Sequence, residues 1–184
     1  MSEDMIVRHC SPTLAGLKTG NMFSCWFLDA TEMRDTLRRL NHLLGKKGLR
    51  IVPLRFKNNQ ALVYVYRPSR LSRDLQHATA CRLLRERGYV IESPERCVIE
   101  LIKRLGESDE FPHEIGLFLG YPPEDVRGFI ENGAEGCKCT GYWKVYGDAR
   151  AAQELLRSIR SVRTYIVRSM LTDGRFGSLR LQGK

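Results

Sequence analysis

Residues 49–67, LRIVPLRFKNNQALVYVYR, decide the fold. Two runs rich in β-branched and aromatic residues, 49–57 and 61–67, flank the turn-forming tip Asn58-Asn59-Gln60, a pattern that predicts a β-hairpin. Pro53 has no N–H to give to a ladder, so the first strand is expected at a sheet edge or to carry a bulge. Helical signals stand on both sides of this hairpin. Upstream, Asp29 followed by Glu32 makes a capping-box-like start for a helix over 30–44, with Met33, Leu37, Leu40, Leu43 and Leu44 at helical spacing and Gly45 or Gly48 as its stop. Downstream, Leu71, Leu75, Ala78, Cys81 and Leu84 predict one helix over 70–87, ended by Gly88.

Further out, Ser93-Pro94-Glu95 opens a helix to about Leu105, and a short helix is expected over 113–119. Pro122-Pro123-Glu124-Asp125 opens another to Glu131, its acids complementing the helix dipole. Asp148 caps a final helix over 149–171. Residues 5–9 read as a strand, with Ser11 capping and Pro12 opening a helix over 12–19. The apolar run 22–28 is too short to separate buried strand from helix. Residues 141–146, GYWKVY, alternate as a strand does, and SLRLQ at 178–182 is a candidate last strand. The class is α+β: a single domain over 1–184, with helices packed on a small, mainly antiparallel sheet.

Composition sets outer limits. With 42% hydrophobic and 28% charged residues, the 184-residue chain has the balance of a globular protein. No apolar run reaches the roughly 18–20 residues that span a bilayer. The start MSEDMIVRHC lacks a basic region followed by an apolar stretch, so no secretory signal is read there and a cytoplasmic location is expected. The six cysteines are then expected as reduced thiols. The net charge of +9 is segregated: 107–135 carries eight acids against Arg127, and 150–184 carries eight bases against Glu154 and Asp173. A basic face of this kind attracts an acidic protein or nucleic acid.

Four groups of residues carry candidate chemistry. Cys10, placed just before the helix expected at Pro12, would have its thiolate favoured by the helix dipole and would out-react Cys81 and Cys97, which read as packing residues. Cys137 and Cys139 flank Lys138, and thiols two apart share a face of extended chain. With Cys10 and with His9 or His113 they would complete the ligand set of a thiophilic metal or serve thiol redox chemistry. His113 follows Pro112 at an expected helix start, where it acts either as a ligand or as a group satisfying backbone. Tyr121, Tyr142, Trp143 and Tyr146 are core residues or the lining of a planar-ligand pocket. Lys18, Lys138 and Lys144, with a helical stripe of Arg157, Arg160, Thr164 and Arg168, form the candidate anion or partner face. No helix-turn-helix, zinc finger, phosphate loop or Gly-x-Gly-x-x-Gly is present, which argues against a nucleotide-hydrolysing or Rossmann enzyme.

The chain resembles an uncharacterised bacterial family, domain-of-unknown-function family 3793. The resemblance rests on HCSPTLAGLKTGNMFSC at 9–25, on LRFK and LVYVYRPSRL across the hairpin, on FPHEIGLFLGYPPEDVRGFI, and on GCKCTGYWKVYGD. It is strongest over 5–148. It implies an anaerobic bacterial source and no assigned activity. Members carry a Lys-Cys-Thr near where this chain reads Arg160-Ser161-Val162-Arg163-Thr164, so a third loop thiol is missing here. Taken together, the residues point first to a cysteine-centred site built from the Cys10 loop and the Cys137/Cys139 turn. A basic module docking an acidic protein or a nucleic acid through 150–184 is the alternative.

Overall fold

The hairpin forms as its sequence requires. In the computed structural model, which describes residues 1–108 and 110–173 with the side chains of 167–173 excepted, β2 (Arg50–Lys57) and β3 (Gln60–Tyr66) pair antiparallel. Lys57 lies opposite Gln60, so the loop is the two residues Asn58 and Asn59, not three. Both have left-handed φ, 49° and 58°, as a two-residue hairpin loop demands and as Asn tolerates. The register shifts between Pro53 and Arg55, leaving Leu54 as a bulge residue, and β2 lies at the sheet edge. Pro53 thus meets both conditions that a proline in a strand imposes.

The ambiguous run becomes β1 (Gly20–Trp26), paired antiparallel with the other side of β3 in the order β1-β3-β2. As the middle strand, β3 is buried on both faces from Ala61 to Tyr66. Ala61, Val63 and Val65 point into a core shared with Met33, Leu37, Leu40 and Leu44 of α2 (Ala30–Gly45). The alternate residues Leu62, Tyr64 and Tyr66 are buried on the opposite face, the two tyrosine rings stacked at 4.7 Å. Asp29 caps α2 by accepting from the backbone N–H groups of Thr31 and Glu32, at 2.6 and 2.9 Å. Those same donors, Glu32 first, hold its carboxyl below the usual range.

The N-terminal segment departs from expectation. Instead of a strand over 5–9 and a helix over 12–19, one helix, α1 (Glu3–Leu14), runs through both. Ile6, Val7, Cys10 and Leu14 are spaced one, four and eight residues from the first, and all four are buried in the core that α2 shares. Helical burial of that stripe outweighs the Ser-Pro start signal. Pro12 sits near the end of α1, and Ser11, expected as a cap, has its hydroxyl buried with no hydrogen-bond partner among the described residues. Chain reversal follows at Gly16, where φ is +75°. Arg67 fastens the end of α1 to the sheet, donating from Nε to the Thr13 carbonyl at 2.9 Å and from Nη2 to that of Leu14 at 2.7 Å.

Within this α+β architecture the described residues form two compact units, 1–68 with those from 159 onward, and 69–158. The second holds α3 (Pro68–Leu75, from Ser69), α4 (Ala78–Glu86), α5 (Pro94–Glu107), α6 (Ile115–Phe118), α7 (Pro123–Asn132), the strands β4 (Cys139–Thr140) and β5 (Lys144–Val145), and the start of α8 (Ala149–Asp173). The helix expected over 70–87 is two helices, because His77 is extended (ψ 134°). The break resets the buried positions to Ala80, Leu83 and Leu84, and the Cys81 thiol meets the Leu75 carbonyl freed by it at 3.0 Å. Only Lys144 and Val145 of the strand expected over 141–146 pair, with Cys139 and Thr140; residues 141–143 make the turn between them. The strand expected at 178–182 lies outside the described residues. No described helix is long and apolar enough to cross a membrane.

Lys18, expected on an exposed face, is buried at 6% exposure. Burial pulls its pKa down to about 8, with Cys10 opposing the shift, while burial pushes the Cys10 thiol up. Between pH 8 and 9 the unfolded chain keeps its Lys18 proton and the folded chain releases it, so this group makes stability rise with pH by about 1 kcal/mol. Cys10 works the other way, since its thiol stays protonated in the fold and ionises near 9 when unfolded. Comparison with Lys18→Met isolates the lysine. In urea denaturation, the stability of the native chain relative to that variant should gain about 1 kcal/mol from pH 8 to 9; a pH-independent difference would show a lysine protonated throughout.

Candidate functional site

The second unit contains a cavity of about 400 Å³ whose wall includes Phe111, His113, Tyr121, Phe129, Tyr142 and Trp143. It is assembled from three short elements that have little surface to hold them in place, so the supporting contacts explain the site. α6 is a single turn, and its approach to α7 depends on Gly116: a Cβ there would lie 2.8 Å from Val126 Cγ2 and 3.1 Å from Tyr121 Cδ2. At Gly128 of α7 any Cβ would run into the Tyr146 ring, so the absence of a side chain lets the hairpin β4–β5 pack on the helix.

Asp125 joins these pieces. Its sequence position suggested a charge at the helix N-terminus, favourable to the dipole. It is buried, and its Oδ2 accepts from Trp143 Nε1 at 2.7 Å while Oδ1 accepts from the backbone N–H of Tyr146 and Gly147 at 2.8 and 2.7 Å. Three donors fix the indole and the end of the hairpin to α7. The Tyr121 ring then stacks on Trp143 at 4.8 Å and 24°, and its hydroxyl donates to the Tyr142 carbonyl at 3.4 Å. Burial raises the Tyr121 pKa, which keeps that phenol a donor.

The other rim is held by Glu114, a buried carboxylate at 1% exposure. Tyr89 donates its hydroxyl to Oε1 at 3.1 Å, and Arg87 and Arg104 approach at 3.5 and 4.0 Å. The Arg104 guanidinium also lies 4.4 Å over the Tyr89 ring. Burial, then the Glu114 charge, pushes the Tyr89 phenol well up. A buried carboxylate needs such company, because an unpaired one costs several kcal/mol. The network pins the residue next to His113, whose own ring is exposed and meets Phe129 edge-on at 5.0 Å. Neither imidazole nitrogen has a hydrogen-bond partner among the described residues. Helix α6 begins at Ile115, so His113 does not occupy the helix start expected of it.

Of the residues singled out in the sequence, His113, Tyr121, Tyr142, Trp143 and Lys144 share this wall. Tyr146 packs beneath, its backbone tied to Asp125 and its hydroxyl donating to the Gly133 carbonyl. Lys144 is half-buried, with no acid paired to it among the described residues. Lys138 is committed elsewhere: its backbone N–H donates to Val145 and its Nζ to the Gly147 carbonyl, both at 2.7 Å. Phe111 and Phe129 were not marked by the sequence reading. Phe111 lies just before Pro112, and Phe129 sits at a helix position that reads as ordinary core.

The cysteine constellation fares differently. Cys10 does not precede a helix start; it lies inside α1, fully buried, and burial disfavours its thiolate. His9 belongs to the same unit and stacks its exposed ring on Phe23 at 5.1 Å. Cys137 and Cys139 are half-buried in the second unit, Cys137 Sγ lying 3.7 Å from the Ala134 carbonyl and 3.8 Å from Thr140 Oγ1. Among the described residues, no group of three or more His, Cys, Asp or Glu side chains is placed to hold a metal ion. Arg157 and Arg160 are exposed on α8 as their spacing implied, and the Arg168 side chain lies outside the described residues.

Comparison with known proteins places the chain in a family. It belongs to the family described as Protein of unknown function (DUF3793), whose model matches residues 6–179. No curated protein and no solved structure matches it.

Thiol accessibility gives a direct check on this geometry. Alkylation at neutral pH, followed by peptide mass analysis, should label Cys81, Cys137 and Cys139 well before Cys10 and Cys97, which are 0% and 1% exposed. The order reverses what a helix-start Cys10 would give. Early labelling of Cys10 would contradict its position in α1.

Proposed function

We propose that this member of the family is a binding module for a small, flat, largely apolar ligand, held in the aromatic cavity of residues 69–158. The observation that carries this reading is the cavity itself. Its volume of about 400 Å³ lies within the range of roughly 300–1,000 Å³ in which small-molecule sites fall. Its wall supplies the apolar and aromatic faces such ligands use, with a few polar groups to orient them. Tyr142 and Phe111, at 45% and 46% exposure, have ring surface still open to solvent, so a bound ring would remove apolar area from water on both sides. The rigid supports at Asp125 and Glu114 reduce the ordering that binding must otherwise impose.

A set of planar aromatic probes, screened by isothermal titration calorimetry, tests this. One or more should bind, and Tyr142→Ala should weaken that binding about tenfold with little change in melting temperature, because Tyr142 is an exposed turn residue. Binding undisturbed by Tyr142→Ala, or no probe bound, would remove the cavity as the site.

A second reading keeps the thiols of Cys137 and Cys139 as a reactive pair in a reducing cytoplasm. It is favoured by their partial exposure on the hairpin whose next residues, Thr140 and Gly141, line the cavity. Under this reading, replacing both by Ser abolishes thiol redox activity or soft-metal content. If the pair is only part of a turn, stability moves by no more than about 0.5 kcal/mol and nothing else changes. Metal analysis of anaerobically purified protein, native and doubly substituted, separates the two.

A further inference from the structure

We infer that the cavity selects a planar aromatic carboxylate: a flat ring system carrying one negative charge. This rests on the cavity being the binding site and names the ligand's chemistry. Among the described residues Lys144 is the one formal cation in the cavity wall, and no described acid pairs with it. Among the described residues of that wall the one formal anion is Asp125; it is 2% exposed, and its two oxygens already take three N–H donors, whose dipoles offset its charge. The nearby acids Glu110, Glu124, Glu131 and Glu135 are exposed, where water and salt screen them.

A ligand cation would therefore have an aromatic wall for cation–π contact but would meet the Lys144 ammonium at close range, a like-charge cost in a partly dry site. A carboxylate gains where a cation loses. One ammonium matches one negative charge; a phosphoryl dianion would bring a second charge for which the described residues of the wall offer no second cation. The ring is set by the stacked pair Tyr121 and Trp143 on one side and by Phe129 and Tyr142 elsewhere in the wall. His113, with both ring nitrogens open among the described residues, supplies a further hydrogen bond to the carboxylate or to a ring heteroatom.

Three probes of one ring size distinguish the outcomes: 2-naphthoate, its neutral amide 2-naphthamide, and the cation 2-naphthylmethylammonium, each titrated calorimetrically into the full chain at low salt. The expected result is at least tenfold tighter binding of the acid than of the amide, with the cation weakest. Lys144→Gln should bring the acid down to the level of the amide while leaving the amide unchanged and the melting temperature within a degree or two. Equal binding of acid and amide would overturn the carboxylate inference and leave the aromatic site standing. Preference for the cation would overturn it in favour of a cation–π cage. Failure of all three to bind, with native thermal unfolding, would remove the cavity reading and this inference together.

Discussion

One buried carboxylate organises the site-bearing part of this molecule. Asp125 accepts three hydrogen bonds, one from an indole and two from backbone, and so holds a helix, a tryptophan and a two-strand hairpin in a fixed arrangement. Hydrogen bonds to a charged group contribute about 1.5–3 kcal/mol each, and removing the acceptor would strand buried donors besides. The elements it ties together are too short to fix themselves. β4 and β5 have two residues each, and α6 has four. Without this clamp the aromatic wall would have no defined spacing, because Tyr121 stacks on the same Trp143 whose ring nitrogen Asp125 holds.

Glu114 performs a related task in the same unit, with two arginines and a phenol where Asp125 has an indole and two backbone N–H groups. Arg87, Arg104 and Tyr89 surround it, so the short α6 turn is anchored by its buried N-cap residue and not by its own length. Buried polar networks of this sort are stable only when fully satisfied, and they leave few alternative arrangements for the groups beside them. His113 is next to Glu114 in sequence and is thereby set in the cavity wall, its nitrogens without a partner among the described residues. The first unit is held by different means: a central strand buried on both faces, α1 and α2 on the Ala61/Val63/Val65 side with Ile166 of α8 in the same core, and Arg67 reaching back to the end of α1.

The candidate chemistry follows from which polar groups are satisfied and which are not. Asp125, Glu114 and Lys138 have their partners and act as structure. Lys144 and His113 line the cavity and have no described polar partner, so they are the groups through which a ligand would be oriented. The buried Cys10 illustrates the opposite error: a residue with reactive chemistry whose surroundings suppress it, since burial penalises the thiolate that reactivity requires.

Much of this was legible in the chain by itself. The β-branched and aromatic runs and the Asn58-Asn59-Gln60 tip specify the hairpin, though its loop is only Asn58 and Asn59. Pro53 announces an edge or a bulge, and β2 has both. Asp29, Ser93 and Asp148 mark helix starts because each offers an oxygen to free N–H groups within the next three residues. These are local interactions, complete within a few residues, and local sequence can determine them. It also placed the aromatic cluster at 121–146 and the family. Tertiary structure decided what depends on distant partners: that Ile6, Val7, Cys10 and Leu14 bury a helical stripe and override the Ser-Pro start, that an apparent strand at 141–143 becomes a turn, and that Lys18 is buried while Lys144 lines a cavity. An acid in the first turn of a helix looks the same in sequence whether it faces water or an indole eighteen residues away. Only the packing of α7 against the hairpin makes Asp125 the clamp, because its partners are supplied by residues 143, 146 and 147.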